Sequence, residues 1–368
     1  MENKKIRSVL TASLCLLWLG LAAWAWLRPA DALSVSERRP LKQFPEATAQ
    51  SLLDGKFVTD FESYTLDQFP LRDTFRQLKA LFHYNVLQQK DNNGIYLHDG
   101  YAAQLEYPLK EESLDHALKV FQRVYDKYLK ESGSKVHLAL IPDKGYYLGD
   151  VAGVPLMDYE KLTEKMQQGM PYASYVNLFD SLSLDAYYRT DTHWRQEKLL
   201  PAATALCQAL GIPAPSQNDY QTATAENPFF GVYYGQAALP MEGEPISWLE
   251  NKMLQNCIVT NFESGVTGKV YDLQKLQGMD LYEVFLSGPV SLLTIENPAV
   301  NNGKELILFR DSFGSAMAPL LVQGYEKITL VDIRYLSSNL LNRFIDFHGQ
   351  DVLFLYSTLV LNNSSTIK

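Results

Sequence analysis

The segment ELILFRDSFGSAMAPLL, residues 305–321, decides the predicted fold. Its first residues, ELILF (305–309), are apolar after Glu305 and predict a strand, and residues 312–322 predict a helix directly behind it. The order recurs downstream, where ITLVDI (328–333) predicts a strand, SSNLLNRFIDFHG (337–349) a capped helix and DVLFLYST (351–358) another strand. Continuous apolar strands that alternate with helices predict an α/β fold, a mostly parallel sheet with helices on both faces.

The region upstream of this segment fits the same fold class. Residues 113–130 predict an amphipathic helix because their apolar side chains recur at helical spacing. VHLALI (136–141) then predicts a buried strand that stops at Pro142. Residues 211–295 lack the alternation and are rich in Gly, Pro and aromatic residues, so we expect a long insertion of irregular or hairpin structure. Folds of this class bind ligands beyond the carboxyl ends of their strands.

The N-terminus predicts a membrane anchor. Val9 to Leu27 carries no charge over nineteen residues, close to the roughly 20 that span a bilayer as a helix. Basic residues at positions 4, 5 and 7 favour a cytoplasmic N-terminus, which places the rest of the chain outside the cytoplasm. We therefore predict an anchor at 1–28, a tether at 29–50 and one domain at 51–368. The alternative is a cleaved signal peptide with a small-x-small site at 30–32, and the chain is then secreted.

Composition excludes several classes of function. The chain has 368 residues, a formal net charge of −9 and no basic run, so nucleic-acid binding is excluded. The six histidines show no metal-ligand spacing and there is no CxxC motif, so we expect no metal and no cofactor. Outside the apolar N-terminus only Cys207 and Cys257 remain, which rules out a disulfide scaffold but leaves a single bridge open.

Ser312 is the first candidate for chemistry. It lies in Asp311-Ser312-Phe313-Gly314, where a buried strand enters a helix and where a serine hydroxyl becomes exposed above a sheet. Free backbone N–H groups at the start of the helix suit an oxyanion formed beside that hydroxyl. The alternative is that Asp311 or Ser312 only caps the helix.

The second candidate segment is AYYRTDTHWRQE (186–197), with Asp191 and His193 two residues apart. A carboxylate beside an imidazole fixes the tautomer of the ring and steadies the imidazolium. Serine is a poor nucleophile at its free pKa, so such a base is what its chemistry requires. Taken alone, the segment is equally well explained by a loop histidine beside a core tryptophan, Trp194.

Together the two segments resemble a known family. Asp191-Thr192-His193-Trp194, followed about 120 residues later by Asp311-Ser312-Phe313-Gly314, is similar to the bacterial DHHW family and the related periplasmic alginate O-acetylation proteins. Further segments fall in the family's order: 37–45, FESYTLDQFPLRD (61–73), IPDK (141–144), FLSG (285–288) and VDIRY (331–335). The resemblance implies an SGNH-hydrolase-like domain in a circularly permuted order, with the serine after the histidine.

The resemblance also assigns roles to residues of this chain. It implies that Ser312 is the nucleophile, His193 the general base and acid, and Asp191 its orienting partner. Thr192 stands where the family name has a histidine. Gly288-Pro289 stands where a Gly-Asn pair is expected, which leaves the second oxyanion-hole donor open.

Other residues are weaker candidates for substrate binding. Lys144, Arg334 and Tyr335 follow predicted strands, so they can face the site and bind substrate oxygens. The alternatives are a solvated turn lysine and an arginine paired with Asp332. Trp194 and Gly288 are further weak candidates for substrate binding. The alternative for Trp194 is core packing that fixes the His193 loop.

The leading hypothesis is an extracytoplasmic O-acyltransferase that acetylates a polysaccharide through an acyl-Ser312 intermediate. The resemblance implies a membrane-bound O-acyltransferase as the partner that supplies acetyl groups. A carbohydrate esterase with the same three residues is one alternative. A non-catalytic polysaccharide-binding or scaffold subunit is the other, and the altered Gly288-Pro289 pair favours it.

Overall fold

The computed structural model describes residues 2–368, and the chain divides into two compact units. The first runs to Asn92 and includes Ala238–Pro240, and the second holds Asn93–Ala237 and Met241–Lys368. The helices of the first unit are α1 (Glu2–Leu27), α2 (Ala49–Leu53), α3 (Lys56–Asp67) and α4 (Arg72–Asn85), and its strands are β1 (Leu33–Ser34), β2 (Arg39–Pro40) and β3 (Asp91–Asn92).

Helix α1 is apolar over Lys4–Leu27, with a mean hydropathy of 1.8. Among the described residues it is the one helix that is long and apolar enough to cross a membrane. Residues 29–50, predicted as a tether, lie within the first unit, where β1 and β2 pair antiparallel.

An ion-pair cluster ties together two segments that carry the family resemblance. The Arg39 guanidinium donates to both oxygens of the buried Asp67 carboxylate, at 2.8 and 2.6 Å. Glu37 pairs with Arg72 at 2.5 Å and with Arg76 at 3.2 Å. The hydrogen bond from Arg39 holds the pKa of Asp67 down at about 2, so this carboxylate stays charged at neutral pH.

The second unit alternates helices and strands. Its helices are α5 (Glu111–Val124), α6 (Lys144–Ala152), α7 (Tyr159–Gly169), α8 (Leu200–Leu210), α9 (Val232–Ala237), α10 (Lys252–Asn256), α11 (Gly314–Met317) and α12 (Thr358–Asn362). Its strands are β4 (Ile95–His98), β5 (Tyr101–Gln104), β6 (Lys135–Ile141), β7 (Ala173–Asn177), β8 (Gln221–Thr224), β9 (Ser247–Glu250), β10 (Ile258–Asn261), β11 (Thr267–Gly268), β12 (Leu292–Glu296), β13 (Glu305–Arg310), β14 (Lys327–Val331) and β15 (Asp351–Ser357).

Within the described residues, the large sheet has eight strands in the order β11-β10-β12-β14-β13-β15-β6-β7. The five strands from β14 to β7 pair in parallel, and β11, β10 and β12 extend the sheet antiparallel. The predicted α/β fold with a mostly parallel sheet is confirmed.

Both faces of the sheet are buried, as continuous apolar strands require. Along β13, Leu306 and Leu308 point into a core that includes α8, whereas Ile307 and Phe309 point into a core that includes α5 and α7. Alternate side chains of one strand therefore hold helices on opposite faces.

Two predicted helices are shorter in the structure. Residues 312–322 form the α-helix α11 over Gly314–Met317 and then a 3-10 helix over Ala318–Gly324, because Pro319 has no N–H to continue the α-helical hydrogen bonds. Residues 337–349 form only a 3-10 helix over Ser338–Arg343. Beyond it the Gln350 side chain binds the carbonyl of Asp346 at 2.7 Å, which stabilises an irregular turn.

The insertion at 211–295 is more regular than predicted. Strands β8 and β9 pair antiparallel, and β10, β11 and most of β12 join the main sheet instead of forming irregular structure. Val259 and Leu293 are buried against the α8 side of the sheet, and this burial offsets the cost of ordering such short strands.

Candidate active site

Ser312 follows the carboxyl end of β13, in a turn that Asp311 holds closed. The Asp311 carboxylate is fully buried and accepts from the backbone N–H of Phe313 at 3.0 Å and of Ser357 at 2.8 Å. Asp311 therefore closes the turn and binds the end of the neighbouring strand β15, whereas neither Asp311 nor Ser312 caps α11. The side chain of Ser312 is left partly exposed beyond the sheet.

The His193 loop is a narrow hairpin attached to the Ser312 turn. Tyr187 and Trp194 form an antiparallel bridge, and the N–H of Tyr188 donates to the carbonyl of His193 at 3.1 Å. The fully buried Trp194 donates its indole N–H to the carbonyl of Phe313 at 3.1 Å. Trp194 is therefore a core residue that fixes this loop against the serine turn.

The three residues singled out from the sequence meet in one chain of hydrogen bonds. His193 Nε2 lies 2.7 Å from Ser312 Oγ, and His193 Nδ1 lies 2.6 Å from Asp191 Oδ1. Since an ionised carboxylate only accepts, the proton of a neutral ring sits on Nδ1 and Nε2 is free to accept from the serine. This arrangement can deprotonate Ser312 and keep the resulting imidazolium beside a negative charge.

The Asp191 carboxylate is supported by a part of the insertion that the sequence analysis did not assign to the site. Its second oxygen accepts from the N–H of Val232 at 2.8 Å, and Thr190 Oγ1 accepts from the N–H of Gly231 at 2.8 Å. A Cβ on Gly231 would lie 2.3 Å from the Cα of Asp191, so only glycine fits there. The glycine in NPFFGVYYG was the one available sequence signal.

Lys144 lies behind this loop, almost completely buried. Its Nζ donates to the carbonyls of Tyr188 at 2.8 Å and Arg189 at 3.2 Å and lies 4.9 Å from the centre of the Tyr233 ring. Burial lowers the pKa of Lys144 to about 7, although the nearby Asp191 charge acts to raise it. Lys144 is therefore not a solvated turn lysine, because its buried amino group is bonded to the loop that carries Asp191.

The structure places the remaining candidates in different settings. Arg334 binds both oxygens of Asp332, at 2.9 and 2.6 Å, which is the ion-pair alternative and not a free substrate-binding guanidinium. Tyr335 is 56% exposed, with the Arg334 guanidinium 5.5 Å from its ring centre. Gly288 has φ +88°, and its N–H donates to the carbonyl of Phe285 at 3.3 Å, so in this arrangement it closes a turn instead of facing an oxyanion.

Tyr282 also belongs to the site, although no sequence motif pointed to it. Its ring stacks on the His193 imidazole with the ring centres 3.9 Å apart and the planes 10° from parallel. Phe313 approaches the imidazole at 5.0 Å. Tyr282 comes from the insertion, three residues before the FLSG segment that carries part of the family resemblance.

Fold and site together define an α/β protein with a serine, a histidine and an aspartate hydrogen-bonded beside the carboxyl edge of a parallel sheet. Residues 159–331 match the family model described as DHHW protein, and the predicted relationship to the DHHW family is confirmed. A comparison with curated proteins finds no match.

Two solved structures with TM-scores of 0.60 share the fold. A DHHW family protein from Eubacterium siraeum is 21% identical over 75% of this chain and 95% of its own, with a TM-score of 0.60. Bacillus cereus PatB1 is 18% identical over 73% of this chain and 96% of its own, with a TM-score of 0.60. The O-acetyltransferase domain of Pseudomonas putida AlgJ is 15% identical over 73% of this chain and 92% of its own, with a TM-score of 0.46.

Proposed function

We propose that this chain is an extracytoplasmic O-acyltransferase that moves acetyl groups onto hydroxyls of a polysaccharide through an acyl-Ser312 intermediate. The observation that carries the proposal is the unbroken set of hydrogen bonds from Asp191 through His193 to Ser312. Such an arrangement supports nucleophilic acyl transfer whatever the order of the residues in the chain. The match of residues 159–331 to the DHHW family model supports it independently of the geometry.

The first half-reaction acylates the serine. Ser312 Oγ attacks the carbonyl carbon of an acetyl donor while His193 Nε2 takes the hydroxyl proton, and the imidazolium is held by Asp191. The tetrahedral intermediate collapses, the bond to the leaving group breaks, and His193 returns the proton to that group. The product is an ester of Ser312.

The second half-reaction transfers the acetyl group. His193 Nε2 takes the proton of a sugar hydroxyl as its oxygen attacks the acyl-serine carbonyl. The bond to Ser312 Oγ then breaks, and the serine regains its proton from His193. If water replaces the sugar, the same steps give an esterase, so the acceptor alone separates the two activities.

The membrane helix determines where the donor must come from. With α1 in the membrane and the basic residues of its first turns on the cytoplasmic side, the second unit faces the outside. No acetyl-CoA is expected there, so a membrane-bound O-acyltransferase is the proposed source of acetyl groups.

The test uses the full-length protein in detergent with a chromogenic acetyl ester, with and without short oligosaccharides. Ester loss and acetylated sugar are followed together by mass spectrometry. We expect acetyl transfer to sugar that disappears in Ser312→Ala and His193→Ala. The exposed-site variants Ser264→Ala and His348→Ala are matched controls and should keep the wild-type rate.

Two outcomes contradict the proposal. Free acetate that no sugar diverts indicates an esterase. A wild-type protein in which Ser312 is never acylated indicates a binding or scaffold subunit that does not use the hydroxyl.

A further inference from the structure

Tyr282 covers one face of the His193 ring. It lies in a 3-10 helix over Leu281–Val284 and is 5% exposed. The stacking distance of 3.9 Å and the 10° angle place the two rings in full face-to-face contact. Burial raises the pKa of Tyr282 well above its usual range, so the stacked ring is a neutral phenol.

The segment that carries Tyr282 is held in place from both sides. Asp280 accepts from the N–H of Tyr282 at 3.1 Å, and the N–H of Asp272 donates to the carbonyl of Val284 at 2.8 Å. The Phe285 ring packs on the Tyr282 ring at 5.0 Å. These contacts fix the ring of Tyr282, and therefore the plane in which the imidazole can lie.

The residues that follow adopt a backbone conformation that costs free energy. Leu286 has φ +57°, Ser287 +62° and Gly288 +88°, a run in the left-handed region that non-glycine residues rarely enter. Ser287 Oγ holds this run by donating to Asp272 at 2.9 Å. Backbone strain of this kind concentrates at functional sites, where the surrounding structure maintains it.

The contact between the rings strengthens when the imidazole becomes charged. An aromatic face is negative and attracts a cation placed over it. The His193 ring gains its positive charge only when Nε2 accepts the proton of Ser312. An interaction that is stronger in the transition state than in the ground state lowers the barrier to reaction.

We propose that Tyr282 is a positioning residue that fixes the plane of the His193 imidazole and stabilises the imidazolium. The inference deepens the proposed function and rests on it, because the charge matters for the rate only if His193 deprotonates Ser312. It also gives the insertion a role in the reaction.

The groups that face His193 come from three elements. Asp191 lies on its own loop, Ser312 and Phe313 come from the turn after β13, and Tyr282 comes from the insertion. Further away, Lys144 interacts electrostatically with Asp191, and the charges of Asp311 and Tyr188 help to raise the pKa of Tyr282.

The experiment compares Tyr282→Leu, which removes the ring, with Tyr282→Phe, which keeps it. The rate of Ser312 acylation by a chromogenic ester is measured against pH with the full-length protein. We expect the leucine variant to lose roughly five- to thirty-fold in rate, the effect of about 1–2 kcal/mol of cation–π interaction. The phenylalanine variant should stay within roughly threefold of wild type, because its ring face is retained.

Two further variants separate this effect from general destabilisation. Tyr172→Leu breaks a matched stack on Tyr125, at 3.8 Å and 9°, in the same unit, and should leave the acylation rate unchanged. Tyr282→Met also lacks the ring and takes the place of the leucine variant if circular dichroism shows that variant to be unfolded.

A second readout does not depend on catalysis. In the NMR spectrum of imidazole nitrogens, the His193 signals are assigned by their loss in His193→Ala. Their change with pH should occur at lower pH in Tyr282→Leu than in wild type, because the cationic ring has lost its partner. If the wild-type serine is never acylated but this difference is present, the proposed function fails while the stacking role stands.

The inference itself is overturned if Tyr282→Leu matches wild type in both the acylation rate and the titration of His193. It is also overturned if Tyr282→Phe is as impaired as Tyr282→Leu, because the hydroxyl and not the ring face is then responsible.

Discussion

Replacing Lys144 by methionine should make the slope of stability against pH less positive between pH 7 and 9. The side chain is 2% exposed, and burial lowers its pKa in the folded protein to about 7. In the unfolded chain a lysine titrates near a pKa of about 10.4. Between these values the unfolded state holds a proton on this lysine that the folded state does not, so the contribution of Lys144 to the free energy of unfolding rises with pH across this window.

The magnitude follows from the two pKa values. Each unit of difference in pKa corresponds to about 1.4 kcal/mol, and the gain is smaller near pH 7, where the folded lysine is still half protonated. Lys144 alone should therefore contribute an increase of about 2 kcal/mol to the free energy of unfolding between pH 7 and pH 9 in wild type. In Lys144→Met this contribution is absent.

The assay is urea unfolding of the full-length protein in detergent at pH 7, 8 and 9, followed by tryptophan fluorescence at constant ionic strength. The slope with pH is the quantity to compare, because methionine also removes the donor to the carbonyls of Tyr188 and Arg189. Lys135→Met, at an exposed lysine, is the control and should keep the wild-type slope. If Lys144→Met shows that slope too, the lowered pKa of the buried Lys144 is refuted.

Three further predictions concern the site and the thiols. Gly231→Ala should lower the rate of Ser312 acylation roughly a hundredfold, because the new Cβ forces the Asp191 loop away from residue 231. A rate equal to wild type in the chromogenic ester assay contradicts this prediction. Asp191→Asn should lower the same rate roughly 10³- to 10⁴-fold with little change in thermal unfolding, because an amide no longer selects the tautomer of His193. A mild loss of rate would mean that a group other than Asp191 orients His193. Cys207 and Cys257 are free and buried, and burial raises the pKa of these thiols to about 12 and about 11. Both should therefore react with a thiol reagent only after the protein is unfolded, and no reductant should be needed to expose them. Detection of a disulfide between them refutes this.

The strands of the parallel sheet were predictable because each is a continuous apolar run. Residues 305–309, 328–333 and 351–358 were predicted as strands and form β13, β14 and β15 to within one or two positions. The helices between them were not predictable to the same degree. Their ends depend on Pro319 and on the side chain of Gln350, which act through local hydrogen bonds and not through hydrophobic spacing.

The candidate site was predictable only in part, for a related reason. Asp191, His193 and Ser312 stand in two short motifs, so a resemblance could reveal them. Tyr282 and Gly231 act through contacts between distant segments, and neither carries a local pattern that points to His193 or Asp191. The setting of Lys144 likewise depends on a loop more than forty residues further along the chain.

The position of β15 in the sheet has a consequence for how the protein is made. Residues 351–357 form a central strand between β13 and β6, and Asp351 lies opposite Lys135. When the chain emerges N-terminus first, the edge of β6 that pairs with β15 stays unpaired until residues 351–357 have appeared. Unpaired strand edges of this kind can pair with other chains. Long-range parallel pairing of this kind folds slowly. In the proposed extracytoplasmic orientation, the sheet closes only after residues 351–357 have crossed the membrane, and the Asp191 loop reaches the far side before Ser312.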